Sequence, residues 1–194
     1  RNDQGDSERC LELIEDAGKE AKRAGEIIKR MRRLVTKRSS QRRSVNLNKA
    51  VTETVPLIRP GLHVEIVLDL GASLPRVSVD RVQIQQVILN LARNAVQAMS
   101  SLDDDRRELL LRTGITDDLV FVEVADTGPG MSVEDLERLF DPFFSRKPDG
   151  LGLGLSISRT IVDAHGGRLT VKKNDLTGLT FRRTLPICNE KRPS

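Results

Sequence analysis

Tryptophan and tyrosine are absent from the 194 residues and phenylalanine occurs five times. The chain therefore has no aromatic ladder for single-stranded nucleic acid to stack on, and nucleic acid is not an expected partner. Cysteine is as scarce: Cys10 and Cys188 stand at opposite ends, without metal-ligand or redox spacing, which suits a reducing, cytoplasmic setting. No apolar run of about 18 residues is present to span a bilayer, and no signal-peptide pattern opens the chain. It opens at Arg1 without a methionine, as expected of a piece of a longer protein. Acidic residues are missing from Ile27 to Thr52, where Lys29, Arg30, Arg32, Arg33, Lys37, Arg38, Arg42, Arg43 and Lys49 are all basic. That cluster fits an acidic partner or polyanion, or equally a solvated helix face running into a linker.

What remains is 38% hydrophobic and 31% charged, the balance of an ordinary folded domain with room for one extra element. Residues 7–38 contain no proline, and Cys10, Ile14, Ala17, Ala21, Ala24, Ile28, Met31 and Val35 follow alternating spacings of four and three. This is the seam of a long helix in a bundle or coiled coil, and Leu11, Leu13, Ile27 and Leu34 widen it toward a bundle. Such a face needs a partner, from a further segment or a second copy. The polar stretch Lys37–Ser44 is the expected boundary, giving a helical segment 1–43, a domain 44–188 and a tail 189–194.

Within the domain, Asn46 or Asn48 can cap a short helix ending near Pro60-Gly61. His63–Leu70 and Arg76–Val79 alternate as strands. Glu108–Ile115 and Leu119–Ala125 form a hairpin through Thr116-Asp117-Asp118, and Arg168–Lys173 with Leu179–Leu185 a second. Ser132 caps a short helix to about Phe140, and Leu155–His165 is a helix that Gly166 stops. This order predicts an α+β fold, a two-layer sandwich with helices on one sheet face, preceded by the long helix.

The stretch Gln85–Met99 is the centre of the pattern. At 3.6 residues per turn Gln83, Gln86, Asn90, Asn94 and Gln97 fall on one stripe beside an apolar face of Ile84, Val87, Ile88, Leu91, Ala95, Ala98 and Met99. Asp80 is the expected N-cap, with Gln83 placed to reach back as in a capping box. The amides either form a solvated helix edge or are offered to a ligand. Two later features bear on that choice. Asp126, Gly128 and Gly130 make a D-x-G-x-G at a strand end, either an ordinary turn or a carboxylate able to accept from an exocyclic amine such as that of adenine. Gly150-Leu151-Gly152-Leu153-Gly154 runs into a helix, as a hinge or as backbone N–H groups for phosphate. An Asn oxygen can ligate Mg²⁺, which keeps waters and substrate phosphates in its shell. Together the three describe a Mg²⁺–nucleotide site.

In this order the motifs resemble the catalytic, ATP-binding domain of sensor histidine kinases, in the superfamily that takes in gyrase, Hsp90 and MutL. The resemblance runs from about Val45 to Pro186. Asn90-Leu91-Ala92-Arg93-Asn94-Ala95 is similar to the N box, Asp126–Met131 to the G1 box, Leu139–Phe144 to the F box and Gly150–Leu155 to the G2 box. The wording of Phe143–Gly167 is nearest to kinases of oxygen-sensing and nitrogen-regulation type. The resemblance implies the Bergerat ATP-binding fold, with ATP and Mg²⁺ as cofactors and Asn94 as the metal ligand, supported by Asn90. It implies that Asp126, with Gly128 and Gly130, reads adenine and that Thr180 places a hydroxyl nearby. The loop Asp141–Leu153 corresponds to the ATP lid, with Gly150, Gly152, Leu153 and Gly154 at the phosphates and Lys147 a phosphate contact.

Asn90 stands where the ATPases of the superfamily carry a general-base glutamate, and an amide cannot take the proton. The implied activity is transfer of the γ-phosphate to a histidine. Leu151, and Ser145-Arg146 before the lysine, depart from the common pattern. Neither His63 nor His165 suits the phosphoacceptor: His63 is expected in a strand, and His165 as a cation at a helix C-terminus. The acceptor helix is thus expected outside this chain, residues 7–38 being the second helix of the bundle. Implied partners are ATP, a histidine-bearing helix of the same protein or its dimer partner, and a response-regulator receiver domain. Alternatives are a serine kinase of anti-sigma-factor type and a non-catalytic nucleotide-sensing dimerisation module.

Overall fold

A computed structural model describes residues 13–14, 17–18, 25, 41–58, 64–103, 106–147 and 150–188. The chain divides into two units, Arg1–Ser39 and Ser40–Ser194. The described residues of the first unit are helical. The heptad seam apart from Ile14 and Ala17, together with His63, Pro60-Gly61 and the tail 189–194, lies outside the described residues. Among the described residues no helix is long and apolar enough to cross a membrane.

Period-two alternation builds the second unit. Strands β2 (Glu65–Leu70), β4 (Glu108–Thr116), β5 (Leu119–Asp126), β6 (Arg168–Lys173) and β7 (Leu179–Pro186) form a five-stranded sheet in the order β2-β4-β5-β7-β6. Only the β2–β4 pair is parallel; the β4–β5 and β6–β7 pairs are the two expected hairpins. The register aligns Leu111 with Val124 and Val124 with Phe181, so one face carries continuous apolar rows. On the other face Glu123 binds Arg182, and Arg112 pairs with Asp69.

Three helices cover the apolar face: α1 (Leu47–Ile58), α2 (Arg81–Ala98) and α4 (Gly154–Ala164); a short α3 (Val133–Arg138) lies between. Asn46 caps α1 through the Lys49 N–H. Asn48 instead donates to Gly71 O and accepts from Thr113 Oγ1, both at 2.7 Å, and so ties α1 to the sheet. Ile84, Val87, Ile88, Leu91, Ala92 and Ala95 of α2 are buried. Each large apolar side chain buried in this way contributes roughly 1.5–3 kcal/mol. Ala98 departs from the expected face and is exposed, with Val96 buried in its stead.

A strand that the sequence did not announce, β1 (Arg43–Val45), pairs antiparallel with β3 (Val77–Val79). The basic stretch read as linker thus ends inside the second unit, whose limit falls at Ser39/Ser40. Three residues with one apolar side chain give no alternation to read.

The expected capping box does not form. Asp80 Oδ1 accepts the N–H groups of Val82 and Gln83, but the Asp80 N–H goes to His165 Nε2 at 3.0 Å. His165, expected as a cation at a helix end, is buried. Its Nε2 accepts a backbone N–H, so the proton sits on Nδ1 and is donated to Ile161 O at 2.7 Å. The ring is therefore neutral.

Candidate functional site

The amide stripe of α2 faces the start of α4 and the preceding loop. Asn90 Nδ2 donates to Ser158 Oγ at 3.0 Å, and Ser158 Oγ donates to Gly154 O, one turn earlier in α4. Gly154 sits close under this contact: a Cβ there would stand 2.8 Å from Asn90 Oδ1 and push that side chain aside. At the other end of the stripe Gln97 Oε1 accepts from Lys147 Nζ at 2.6 Å. Between them Asn94 is half-buried, and among the described residues its amide has no hydrogen-bond partner. Asn90 and Gln97 are thus tied to α4 and to the loop, and Asn94, between those two, is left open.

The glycine-rich segment arrives at α4 without a side-chain cap. Leu153 holds the N-cap position and is buried, and the first intrahelical bond runs from Ile157 N–H to Leu153 O. Among the described residues no side chain caps the first-turn N–H groups, which stand at the positive end of the helix dipole where an anion is favoured. Gly152 O accepts the Phe143 N–H at 3.1 Å, and Gly150 N–H bonds Lys147 O at 3.0 Å, so the segment folds back on itself. Arg146 is drawn off to Asp135 of α3 at 2.5 Å, leaving Lys147 as the cation on α2. Burial lowers the Lys147 pKa.

At the end of β5, Asp126 Oδ1 accepts N–H groups from Gly128 at 2.9 Å and Leu179 at 3.4 Å. Burial pushes its carboxyl above the ordinary range, and the two backbone bonds offset this only in part. Both bonds fall on Oδ1. Ala98 of α2 lies against Gly128, which brings the carboxylate turn to the C-terminal end of the amide helix. Gly130 closes the turn at φ +73°.

Thr180 is not brought to the carboxylate. It aligns with Ala125, so strand alternation points it to the opposite sheet face from Asp126. Its hydroxyl is taken by Asn174 Oδ1 at 2.5 Å. Leu179 stands beside Asp126 in its place.

Three supporting residues escaped the sequence reading. Ser158 is at i+4 from Gly154, a spacing that could have flagged it. Asn174 donates to Asp126 O at 2.9 Å across a turn that carries no motif. Gly178 (φ +87°) lies so close to Asp126 O that a Cβ has no room. Among the described residues no group of three or more His, Cys, Asp or Glu could hold a metal. A cation there would have to share an Asn oxygen with oxygens supplied by its ligand, which is the coordination Mg²⁺ favours.

Residues 79–189 match the family model described as histidine kinase-, DNA gyrase B-, and HSP90-like ATPase. The chain is 44% identical over 183 residues to the sensor protein FixL of Bradyrhizobium diazoefficiens, covering 91% of this chain and 35% of that protein. Among solved structures it is similar to histidine kinase ThkA in complex with the response regulator protein TrrA (TM-score 0.73, 29% identity, 93% of this chain and 52% of that one). It is also similar to full-length ShkA in complex with AMPPNP (TM-score 0.65, 29% identity, 75% and 31%). The chain spans about a third of the length of FixL and of the sensor protein TdiS of Thauera aromatica.

Proposed function

The chain belongs to the family of histidine kinase-, DNA gyrase B- and HSP90-like ATPases, and we propose that it is the ATP-binding catalytic portion of a two-component sensor histidine kinase. The observation that carries this reading is the Asn94 amide, without a hydrogen-bond partner among the described residues, between Asn90, tied to α4, and Gln97, tied to Lys147. Asn94 Oδ1 would hold Mg²⁺ together with oxygens that the nucleotide supplies. The first-turn N–H groups of α4, with Gly150, Gly152 and Gly154, meet the phosphate chain, and Lys147 adds a positive charge. Asp126 Oδ2 accepts from the adenine amine over the Gly128–Gly130 turn. Bound Mg²⁺ neutralises charge developing on the transferred phosphoryl group; the protein's own part is placement and electrostatics. Asn90 holds α4 through Ser158 and supplies no base for water, so transfer to a protein side chain is favoured over hydrolysis. Residues 1–43 act as the second helix of a dimerisation bundle, and the acceptor is a histidine on a partner helix. A response-regulator receiver domain takes the phosphoryl group next. This portion works in the cytoplasm, where ATP is available.

Calorimetry with ADP, with and without Mg²⁺, tests the site. Binding is expected to need Mg²⁺ and to be lost in Asn94→Ala. Asp126→Asn keeps an oxygen for the Gly128 and Leu179 N–H groups but turns its other atom into a donor, and is expected to weaken affinity roughly 10–100-fold. The same variant must not melt below wild type at neutral pH. A carboxyl whose pKa is raised in the fold binds more protons folded than unfolded, so stability falls as pH rises from 3.8 through the raised value, and the amide removes that penalty. Absence of nucleotide binding, or binding indifferent to both substitutions, overturns the reading.

A further inference from the structure

Gln97 is the one member of the stripe that touches a charge. Its Oε1 accepts a hydrogen bond from Lys147 Nζ at 2.6 Å. The backbone around that lysine is fixed independently: Ser145 Oγ accepts the Lys147 N–H at 3.1 Å, and Lys147 O accepts the Gly150 N–H at 3.0 Å. Of the two adjacent cations, Arg146 is neutralised by Asp135, whereas among the described residues Lys147 Nζ meets only a neutral amide. Gln97 lies three residues after Asn94, on the same helix face. Because its acceptor is uncharged, it restrains the flexible ammonium without cancelling the charge. One of the three N–H groups is used and two remain for oxygens of a ligand.

We propose that Gln97 is a positioning residue that holds Lys147 Nζ beside Asn94, ready for the phosphate chain. This rests on the nucleotide reading above. The Mg²⁺–ATP affinity of the whole 194-residue chain is measured by calorimetry at low and high salt. The wild type is compared with Gln97→Met, Lys147→Met and the double variant.

Gln97→Met is expected to bind about fivefold more weakly, the worth of one such hydrogen bond. Its affinity should also depend less on salt, because the cation is no longer aimed at the phosphates. Lys147→Met loses more, and the double variant binds no more weakly than Lys147→Met alone. Gln97→Glu keeps reach and acceptor but cancels the charge, and flattens the salt dependence as Lys147→Met does. Melting temperatures stay near wild type, because Gln97 is exposed and Lys147 half-buried. Wild-type affinity and salt dependence in Gln97→Met overturn the proposal, and so does a loss that adds in full to that of Lys147→Met. A wild-type chain that binds no nucleotide overturns the nucleotide reading as well; the other outcomes overturn the role of Gln97 alone.

Discussion

Arg183 carries a charge into the middle of the core. The inward positions of β7 are Leu179, Phe181, Arg183 and Leu185, and Arg183 is aligned with Val122 on one side and Leu169 on the other. Its Nη1 reaches Ile84 O only at 3.5 Å, and Nε and Nη2 have no partner among the described residues. Burial pushes its pKa down to about 9. The folded state therefore holds the proton less tightly than the unfolded chain, so the penalty is full below pH 9 and is relieved as pH rises above it. Arg183→Leu is expected to stabilise the chain by about 1–4 kcal/mol at neutral pH, the range found when buried charges give way to apolar groups. Urea unfolding measures it, and the gain should shrink as pH is raised beyond 9. A destabilised variant would show that the guanidinium has a role the fold depends on. At this scale the positions of Asn90 and Asn94 on one helix stripe and of Asp126 at a strand end were legible, because local spacing sets them; the ligand roles given to them are proposals. Thr180 pairs with Ala125, so strand alternation turns it away from Asp126, which a motif position alone does not show.

Helix α2 shows what elements add. Its cap, length and buried face follow from Asp80 and the apolar period, both local properties. What closes its N-terminus is not local: the Asp80 N–H finds His165 at the end of α4, 85 residues away. Together with Asn90–Ser158 this bond fixes α4 against α2 at two points. A sequence can show that a donor needs an acceptor, but not which distant side chain the fold delivers. Hence Gln83 was assigned a bond that His165 makes. The strand β1 was hidden for the same reason, since its partner β3 and not its own pattern defines it. His165→Ala is expected to lower stability by roughly 1–3 kcal/mol, through loss of an acceptor for the Asp80 N–H. Thermal or urea unfolding checks this. Nucleotide affinity should change little, because the contact lies at the far end of α4 from Gly154. An unchanged melting temperature would refute the two-point attachment.

For the whole molecule the proposed transfer raises the question of where a phosphoryl group could go. The sequence holds two histidines. His165 is buried with both ring nitrogens engaged, so it offers no nucleophile. His63 lies outside the described residues. A chain that binds Mg²⁺–ATP without an acceptor of its own should stay unlabelled when incubated with ATP carrying a radioactive γ-phosphate. Adding a separate histidine-bearing helical bundle should give a phosphate stable in alkali and lost in acid. On the proposed reading Asn90 supplies no base for water, so free phosphate should accumulate slowly without that bundle. Each alternative leaves a distinct mark: self-labelling places an acceptor within this chain, and an acid-stable product indicates a serine kinase. Nucleotide binding without transfer to any bundle would make the module a sensor of ATP, with its two tied amides and open Asn94 serving to order the loop alone.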